Sequence, residues 1–171
     1  NVSKDSYVEP KLRKCDAQGF MAAGVLLWRW ARPDGDNLLM AQELRTAGGP
    51  PLLGFIGGKR DALAESARQT AAREATEETG GLLSIRTRSA VLTAPGPVLW
   101  DSNGKYATFV VEAAATDADL PDRLSERGGP PDPGDLWLLG VRWIALRDLL
   151  SEKWCKANMA AHHHHPLRLL W

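Results

Sequence analysis

The stretch Arg73–Gly81, REATEETGG, places three glutamates within five positions and ends on a double glycine. Glu74, Glu77 and Glu78 stand at positions i, i+3 and i+4, which share one face of an α-helix. Like charges at i and i+4 destabilise a helix by roughly 0.2–0.5 kcal/mol per pair. The stretch therefore predicts a helix whose acidic face is compensated by a side chain, by solvent counterions or by a metal ion.

Helix-favouring residues surround this acidic face. We predict a helix from Ala62 to Thr79 that is closed by Gly80, because alanine, arginine, glutamine and glutamate dominate the segment and neither proline nor glycine interrupts it. Ala71 and Ala75 would form a narrow apolar edge that packs closely against a sheet. The acidic face would then lie at the rim of the packed layer.

Two neighbours of the acidic face favour cation binding over a plain solvated surface. Arg73 precedes Glu77 by four residues, so it can pair with that carboxylate and hold it in place. Gly57–Gly58 precedes the helix, and glycine lets a backbone approach a ligand closely and offer its carbonyl oxygen. Carboxylates and a carbonyl are hard oxygen ligands, the kind that Mg²⁺ and Mn²⁺ prefer. A charge run alone is typical of a solvated helix face with one ion pair.

Composition limits the classes of protein to consider. The 171 residues suffice for a single domain with a substantial core. Lysine plus arginine and aspartate plus glutamate both number 21, so no overall charge would attract nucleic acid or a membrane. Cys15 and Cys155 lie far apart and suit free thiols in a reducing compartment. No signal peptide or transmembrane segment is visible, so we expect a cytoplasmic protein with no membrane partner.

Strand and turn patterns predict an α/β chain. The longest apolar run, residues 19–28, is too short to span a bilayer and is predicted to be a buried strand. Predicted strands lie at 20–29, 37–43, 83–92, 106–114 and 141–144, with a short apolar run at 52–56, helices at 62–79 and 146–153, and an Asp/Pro/Gly-rich loop at 116–135. The single domain would have its core at about 19–153, with 1–18 and 156–171 as peripheral tails.

The acidic stretch is part of a longer pattern that resembles the Nudix box, the signature of the Nudix hydrolases. In that signature a glycine and a glutamate precede Arg-Glu, and Glu-Glu, a glycine and an apolar residue follow. The matching positions are Gly58, Glu65, Arg73, Glu74, Glu77, Glu78 and Gly80. Six residues instead of the usual five separate Gly58 from Glu65, Ala75 is only weakly apolar, and Gly81 stands where a larger apolar residue is usual.

The resemblance implies an α/β/α sandwich with a mixed central sheet, and hydrolysis of a nucleoside diphosphate linked to another group. The implied cofactor is Mg²⁺ or Mn²⁺, which would neutralise phosphate oxygens and lower the pKa of the attacking water. The implied metal ligands are Glu74, Glu78, Glu77 and the carbonyl of Gly58. Glu77 would be a ligand or a base, and Arg73 would orient it.

Four further positions belong to the box or lie beside it. Glu65 would contact the metal through water or stabilise the loop and the start of the helix, and Gly80 would close the helix. Lys59 and Arg60 would either reach a substrate phosphate or remain solvated loop charges.

The general base and the substrate stay open. Base candidates outside the box are Glu112 and acids of the 116–135 loop such as Glu126 and Asp135. Aromatic residues that could stack on a nucleobase, although aromatics in strands are more often core, are Trp28, Trp30, Phe55, Trp100, Tyr106 and Trp137.

Three functions are compatible with the resemblance. They are hydrolysis of a small nucleotide (an oxidised nucleoside triphosphate, a nucleotide sugar or a dinucleoside polyphosphate), hydrolysis of capped RNA, and nucleotide binding without catalysis. The zero net charge counts against RNA, because phosphate contacts usually need a basic surface.

Competing motifs are incomplete. The sequence around Gly57–Lys59 lacks the earlier glycine and the following Ser or Thr of a phosphate-binding P-loop, and no GxGxxG opens a helix. The run His162–His165 could bind a metal, but a histidine run this close to the end of the chain is typical of a tail, and we predict no function for it.

Overall fold

A seven-stranded mixed sheet forms the centre of the molecule. The computed structural model describes residues 19–31, 33, 35–44, 49–128 and 138–159. The strands are β1 (Ala22–Ala31), β2 (Gly35–Glu43), β3 (Leu52–Gly54), β4 (Ile56–Lys59), β5 (Val98–Asp101), β6 (Tyr106–Glu112) and β7 (Leu138–Ala145). Strands β1 and β6 pair in parallel, and the other ladders between these strands are antiparallel.

Helices cover both faces of the sheet. They are α1 (Ala67–Glu78), α2 (Ile85–Thr93), α3 (Leu120–Glu126), α4 (Leu146–Leu149) and α5 (Glu152–Asn158), with a 3-10 turn at Ala115–Asp117. One core lies between the sheet and α1, α2 and α3 and includes Ala71, Val91 and Leu120. The second core lies on the other face and includes Leu149 of α4 and Cys155 of α5. These layers confirm the predicted α/β/α sandwich with a mixed sheet.

The hairpin of β1 and β2 opens at the end where the candidate site is built. The two strands pair from Leu27–Leu39 to Ala31–Gly35. Beyond this ladder, β4 pairs with the first half of β1 and β3 pairs with the end of β2. Because β6 occupies the other edge of β1, β3 and β4 must lie in the gap between the separated strands. Gly57–Gly58 is therefore placed inside this gap.

Helix α1 begins at Ala67 and not at Ala62, where it was predicted to begin. The hydroxyl of Ser66 accepts a hydrogen bond from the Gln69 amide, and the Gln69 side chain accepts one from the Ser66 amide. This reciprocal capping box fixes the first turn. The residues before Ser66 form a loop instead.

The other end of α1 agrees with its prediction. Ala71 and Ala75 are buried in the core beneath the helix. Gly80 and Gly81 have φ angles of +60° and +73°, a conformation that glycine adopts without strain and that ends a helix. The Gly81 amide donates to the carbonyl of Thr76 at 2.7 Å. Gly81, which stands where the box usually has a larger apolar residue, thus helps to end the helix.

The strand predicted at 83–92 is wrong, because this segment forms helix α2. Its buried residues, Leu83, Thr87 and Val91, recur at every fourth position, which is a helical spacing. Ser84 caps the helix, and the buried carboxylate of Asp117 accepts hydrogen bonds from the Ser84 amide and from the hydroxyls of Ser84 and Thr87. The residue that fixes α2 is therefore distant in the sequence.

In three further segments the observed elements differ from the predicted ones. The first part of the predicted loop at 116–135 contains helix α3, whose Leu120 and Leu124 are buried, and residues 129–135 lie outside the described part. Strand β5 was not predicted. The helix predicted at 146–153 is divided into α4 and α5, because the Ser151 hydroxyl accepts from the Trp154 amide and caps a new helix.

The packed structure continues beyond the predicted core boundary. Met159 is buried in the second core and bridges to Leu53, so residues 156–159 do not belong to a peripheral tail. Cys155 is a free, buried thiol. Cys15, Asp135, Trp137 and His162–His165 lie outside the described residues. Within the described part of the chain, no helix has the length and apolar character needed to cross a membrane.

Candidate active site

Helix α1 directs two of its glutamates toward the glycine pair on β4. A Cβ added at Gly58 would lie 2.5 Å from Glu74 Oε2, so only a glycine lets this carboxylate rest on the strand. The Gly57 amide donates to Glu78 Oε2 at 3.3 Å. The Glu77 side chain is 53% exposed, whereas that of Glu74 is 13% exposed. Glu74 and Glu78 therefore face the glycine pair, and Glu77 lies at the rim.

Arg73 links these acids to the end of β4. Its guanidinium lies 2.8 Å from Glu74 Oε1 and 3.0 Å from Glu77 Oε2, which confirms the predicted pairing with Glu77. Its Nε donates to Glu65 Oε1 at 3.0 Å, and its Nη2 donates to the Lys59 carbonyl at 2.7 Å. One side chain thus compensates the acidic face and fixes the helix relative to the strand.

Glu65 stabilises the loop before the helix. Besides Arg73, it accepts hydrogen bonds from the Thr70 hydroxyl at 2.9 Å and from the Asp61 amide at 3.2 Å. The hydrogen bond from Arg73 is the main reason why the pKa of Glu65 lies below its ordinary value, although burial acts in the opposite direction. These contacts match the second role expected for Glu65, which is to stabilise the start of the helix.

Arg60 holds the enlarged loop between the glycine pair and Glu65. Its Nε donates to the Ala62 carbonyl at 3.0 Å, and its Nη2 donates to the Leu63 carbonyl. Its guanidinium also stacks on the Phe20 ring, 4.4 Å from the ring centre. These contacts hold the Arg60 side chain against the loop, so its position does not favour the predicted contact with a substrate phosphate.

The extra residue of the box leaves Gly58 in the regular sheet. Gly58 pairs with Ala23 and Lys59 with Ala22 in the ladder between β4 and β1. The enlarged loop therefore begins after Lys59, beyond the position from which the Gly58 carbonyl would act. The Lys59 residue is exposed at the end of the strand.

The electrostatics of the cluster leave an excess of negative charge. Burial raises the pKa of Glu74, and the charge and hydrogen bond of Arg73 only partly offset this effect. Burial also lowers the pKa of Arg73, but its hydrogen bond to Glu65 and its pairing with Glu74 outweigh burial and raise it. Arg73 is therefore a permanent cation, and the carboxylates around it outnumber it. A further cation would be electrostatically favoured here.

The carboxylate oxygens of this cluster suit a hard divalent cation, but in this structure they do not converge on one point. Among the described residues, no three acidic, histidine or cysteine side chains converge as a metal site requires. Arg73 and the Gly57 amide explain this, because they hold Glu74 and Glu78 on separate partners. Carboxylates beside a side-chain-free strand are nevertheless the hard oxygen donors that Mg²⁺ and Mn²⁺ prefer.

Of the general-base candidates from outside the box, Glu112 lies away from this cluster. Glu112 ends β6 and lies five positions beyond Ala107, which is level with Gly58 across the sheet. This separation corresponds to about 17 Å along a strand. Glu126 is exposed on α3, the helix that contacts the turn after α1 through an Arg123 hydrogen bond to the Leu82 carbonyl.

The aromatic candidates are mostly core residues. Phe55 is fully buried in the second core, and Trp28 packs against the same core. Trp30 is exposed but pairs with Asp36 beside the hairpin turn, at the opposite end of β1 from the site. Trp100 is partly buried against the first core. Among the described candidates, Phe55, Trp28 and Trp30 therefore present no open ring beside Gly58.

Two residues near the cluster were missed or given another role by sequence reasoning. Tyr106 was a stacking candidate, but its hydroxyl oxygen is buried against Gly24 and Gly57. Glu43, at the end of β2, is one of the acids whose charge acts on Tyr106. The pattern of a strand that ends on an acid at the open end of the hairpin could have indicated Glu43. No local pattern indicates Tyr106, because its neighbours come from β1 and β4.

Replacing Gly58 with alanine tests the contact between β4 and α1. The new Cβ would lie 2.5 Å from Glu74 Oε2, so the carboxylate must move. We expect Mn²⁺ affinity, measured by titration calorimetry, to fall by at least about tenfold. The far-UV circular dichroism spectrum should match that of the parent, because the substitution changes the position of only one side chain. Parental Mn²⁺ affinity in this variant would show that the placement of Glu74 on Gly58 is irrelevant to cation binding.

Sequence comparison relates the chain to known proteins. The profile of the NUDIX domain family matches residues 21–166. A Mycobacterium tuberculosis protein named "Putative 8-oxo-dGTP diphosphatase 3" is 36% identical over 132 residues, which cover 75% of this chain and 53% of that protein. The same match occurs in a second strain of that organism. The chain thus spans about half the length of the curated relatives that it matches.

Solved structures of the same family also align with the chain. A Nudix hydrolase from M. smegmatis, RenU, aligns with a TM-score of 0.48 and 17% identity, covering 88% of this chain and 83% of that one. A NUDIX hydrolase from Nitrosomonas europaea aligns with a TM-score of 0.47 and 15% identity, covering 86% and 84%. Because these scores are modest, the assignment rests on the sequence profile, which spans most of the chain and contains the whole box. The chain belongs to the Nudix family.

Proposed function

We propose that the chain is a divalent-metal-dependent hydrolase that cleaves a phosphoanhydride bond in a nucleoside diphosphate linked to another group. The observation that carries the proposal is the placement of Glu74 and Glu78 against Gly57–Gly58, with Arg73 compensating only part of their charge. Membership in the Nudix family supports the same activity.

In this proposal Glu74, Glu78 and the Gly58 carbonyl hold Mg²⁺ or Mn²⁺, with Glu77 as a further ligand or base. When bound there, the metal would neutralise phosphate oxygens and lower the pKa of the attacking water. The protein contributes orientation, because Arg73 holds Glu77 and is itself fixed to the Lys59 carbonyl. Release of Glu74 from Arg73 would allow it to converge with Glu78.

Of the two cations before the helix, Lys59 is the better candidate for a substrate phosphate. It is exposed at the end of β4, directly after Gly58. Arg60 instead donates to two loop carbonyls and stacks on Phe20. We therefore assign Arg60 to the support of the loop and keep Lys59 as the phosphate contact.

Water attacks phosphorus in the proposed reaction. A bond forms between the water oxygen and phosphorus, the anhydride bond to the departing phosphate breaks, and the proton of the water passes to a carboxylate base. Bonds to the sugar carbons stay intact. Turnover in water enriched in oxygen-18 should therefore place the label on a phosphate product.

A small nucleotide is the favoured substrate class. The curated relatives are named for 8-oxo-dGTP, although this chain matches only about half of their length. An oxidised purine nucleoside triphosphate is therefore the first compound to test. Capped RNA is the second candidate, and the zero net charge of the chain counts against it. Nucleotide binding without catalysis is the third.

A phosphate-release screen with Mg²⁺ tests the proposed function. It should include oxidised and ordinary nucleoside triphosphates, nucleotide sugars, dinucleoside polyphosphates, coenzyme A and capped RNA, with Glu78→Gln as the matched variant. We expect Mg²⁺-dependent turnover of at least one nucleotide by the parent and none above background by the variant. If no compound is cleaved at high protein concentration and one of them raises the melting temperature, the chain is a binding module.

A further inference from the structure

The hydroxyl of Tyr106 is a buried donor at the site with no hydrogen-bond partner among the described residues. Tyr106 begins β6, and the next residue, Ala107, packs in the core beneath α1. Because side chains alternate along a strand, the Tyr106 ring lies on the sheet face opposite α1. Buried polar groups are nearly always paired, so an unpaired one requires an explanation, such as a catalytic role or a bound ion or water.

Two glycines make room for this hydroxyl. Gly24 and Gly57 are partners in the ladder between β1 and β4. At both positions an added Cβ would collide with the phenol oxygen of Tyr106. The oxygen therefore lies directly against the backbone of both strands, at the gap where the hairpin opens. An alanine at either position would exclude it.

The hydroxyl lies close to the donor that already binds Glu78. The Gly57 amide donates to Glu78 Oε2, and the backbone of the same residue contacts the phenol oxygen. Burial, followed by the negative charges of Glu78, Glu74 and Glu43, raises the pKa of Tyr106. The hydroxyl therefore keeps its proton and can only act as a neutral donor toward these acids. Glu78 has the largest effect of the three.

We propose that Tyr106 is a positioning residue for Glu78, to which its hydroxyl donates a hydrogen bond in the cation-bound form, from the sheet face opposite α1. Together with the Gly57 amide, it holds the Glu78 carboxylate in the orientation that binds the divalent cation. The inference rests on the proposed function, because Glu78 is a metal ligand under that proposal. Groups that hydrogen-bond a metal ligand fix its orientation and raise metal affinity.

The variant Tyr106→Phe removes the hydroxyl and keeps the ring. We expect its Kd for Mn²⁺ alone, measured by calorimetry or by the electron paramagnetic resonance signal of free Mn²⁺, to rise about 10–100-fold. The melting temperature of the metal-free protein should stay the same or rise, because the lost hydroxyl makes no hydrogen bond. With substrate and saturating metal, kcat should fall while KM changes little.

A matched control removes another hydroxyl from the same region. The Thr76 hydroxyl donates to the Ala72 carbonyl within α1, at 2.8 Å, and Thr76 points away from the carboxylates. Thr76→Val should therefore bind Mn²⁺ as the parent does. A Kd for Tyr106→Phe within twofold of the parent would overturn the inference if Glu78→Gln weakens Mn²⁺ binding. If Glu78→Gln also binds like the parent, the proposed metal site itself is wrong.

Discussion

Glu74→Gln and Glu78→Gln should each lower Mn²⁺ affinity and turnover by at least about a hundredfold, because changes to the groups behind metal ligands already cost 10–100-fold. Both substitutions keep the size of the side chain and remove one negative charge that faces the glycine pair. Glutamine also keeps a carbonyl oxygen that can accept from Arg73 or from the Gly57 amide. We therefore expect the melting temperature of the metal-free protein to change by only a few degrees.

The control for these variants is Asp122→Asn, which removes a carboxylate from the exposed side of α3. It should keep the parental Mn²⁺ affinity and turnover, measured by calorimetry and phosphate release. Parental Mn²⁺ affinity in both glutamine variants would show that these residues hold no metal. A large fall in melting temperature without loss of binding would identify them as structural partners of Arg73 and β4.

Arg73→Met should produce the largest loss of stability among these variants. The methionine keeps an apolar stem but loses the donors that reach Glu65, Glu74, Glu77 and the Lys59 carbonyl. Glu65 and Glu74 would then be largely buried without their cation, since their side chains are 14% and 13% exposed. We expect a loss of about 2–4 kcal/mol, because removing one partner of a buried charge pair leaves the other charge uncompensated. For a chain of this length that loss corresponds to a fall of roughly 4–16 °C in melting temperature.

Two further variants distinguish the loss of this network from the general effect of removing an arginine. Arg86→Met removes an exposed arginine from α2 and should leave the melting temperature within about 1–2 °C, as surface substitutions usually do. Arg73→Lys keeps the charge without the planar fork, so its melting temperature should fall between those of the parent and Arg73→Met. Equal shifts for Arg73→Met and Arg86→Met in thermal unfolding would contradict the proposed network.

The part of the site that lies on α1 could be predicted from the sequence because its information is local. The spacing of Glu74, Glu77 and Glu78 and the position of Arg73 four residues before Glu77 define contacts within two helical turns. The glycines after the helix and the pair before it are equally visible. The structure adds that Arg73 also reaches β4 and Glu65.

The features that could not be predicted depend on residues that are distant in the sequence. Helix α2 has a sequence rich in β-branched residues, and the buried Asp117 that accepts hydrogen bonds from its capping residue, Ser84, lies beyond β6. The hydroxyl of Tyr106 meets Gly24 and Gly57 only after the sheet has formed. The charge of Arg60 suits a phosphate contact, but in the structure its guanidinium donates hydrogen bonds to two carbonyls of its own loop. Sequence patterns report which groups are present, while long-range pairing decides what each of them contacts.

The open end of the β1–β2 hairpin has a kinetic consequence. The ladder near the turn joins residues close in the chain and can form early, whereas Ala22 meets Tyr106 across most of the intervening domain. Contacts of such long sequence separation are slow to form, because the closure of a long loop costs entropy before the contact is made. Tyr106 therefore reaches the glycine pair only when this long loop closes. A partly folded form that retains only the hairpin would lack the Tyr106 hydroxyl beside Gly24 and Gly57.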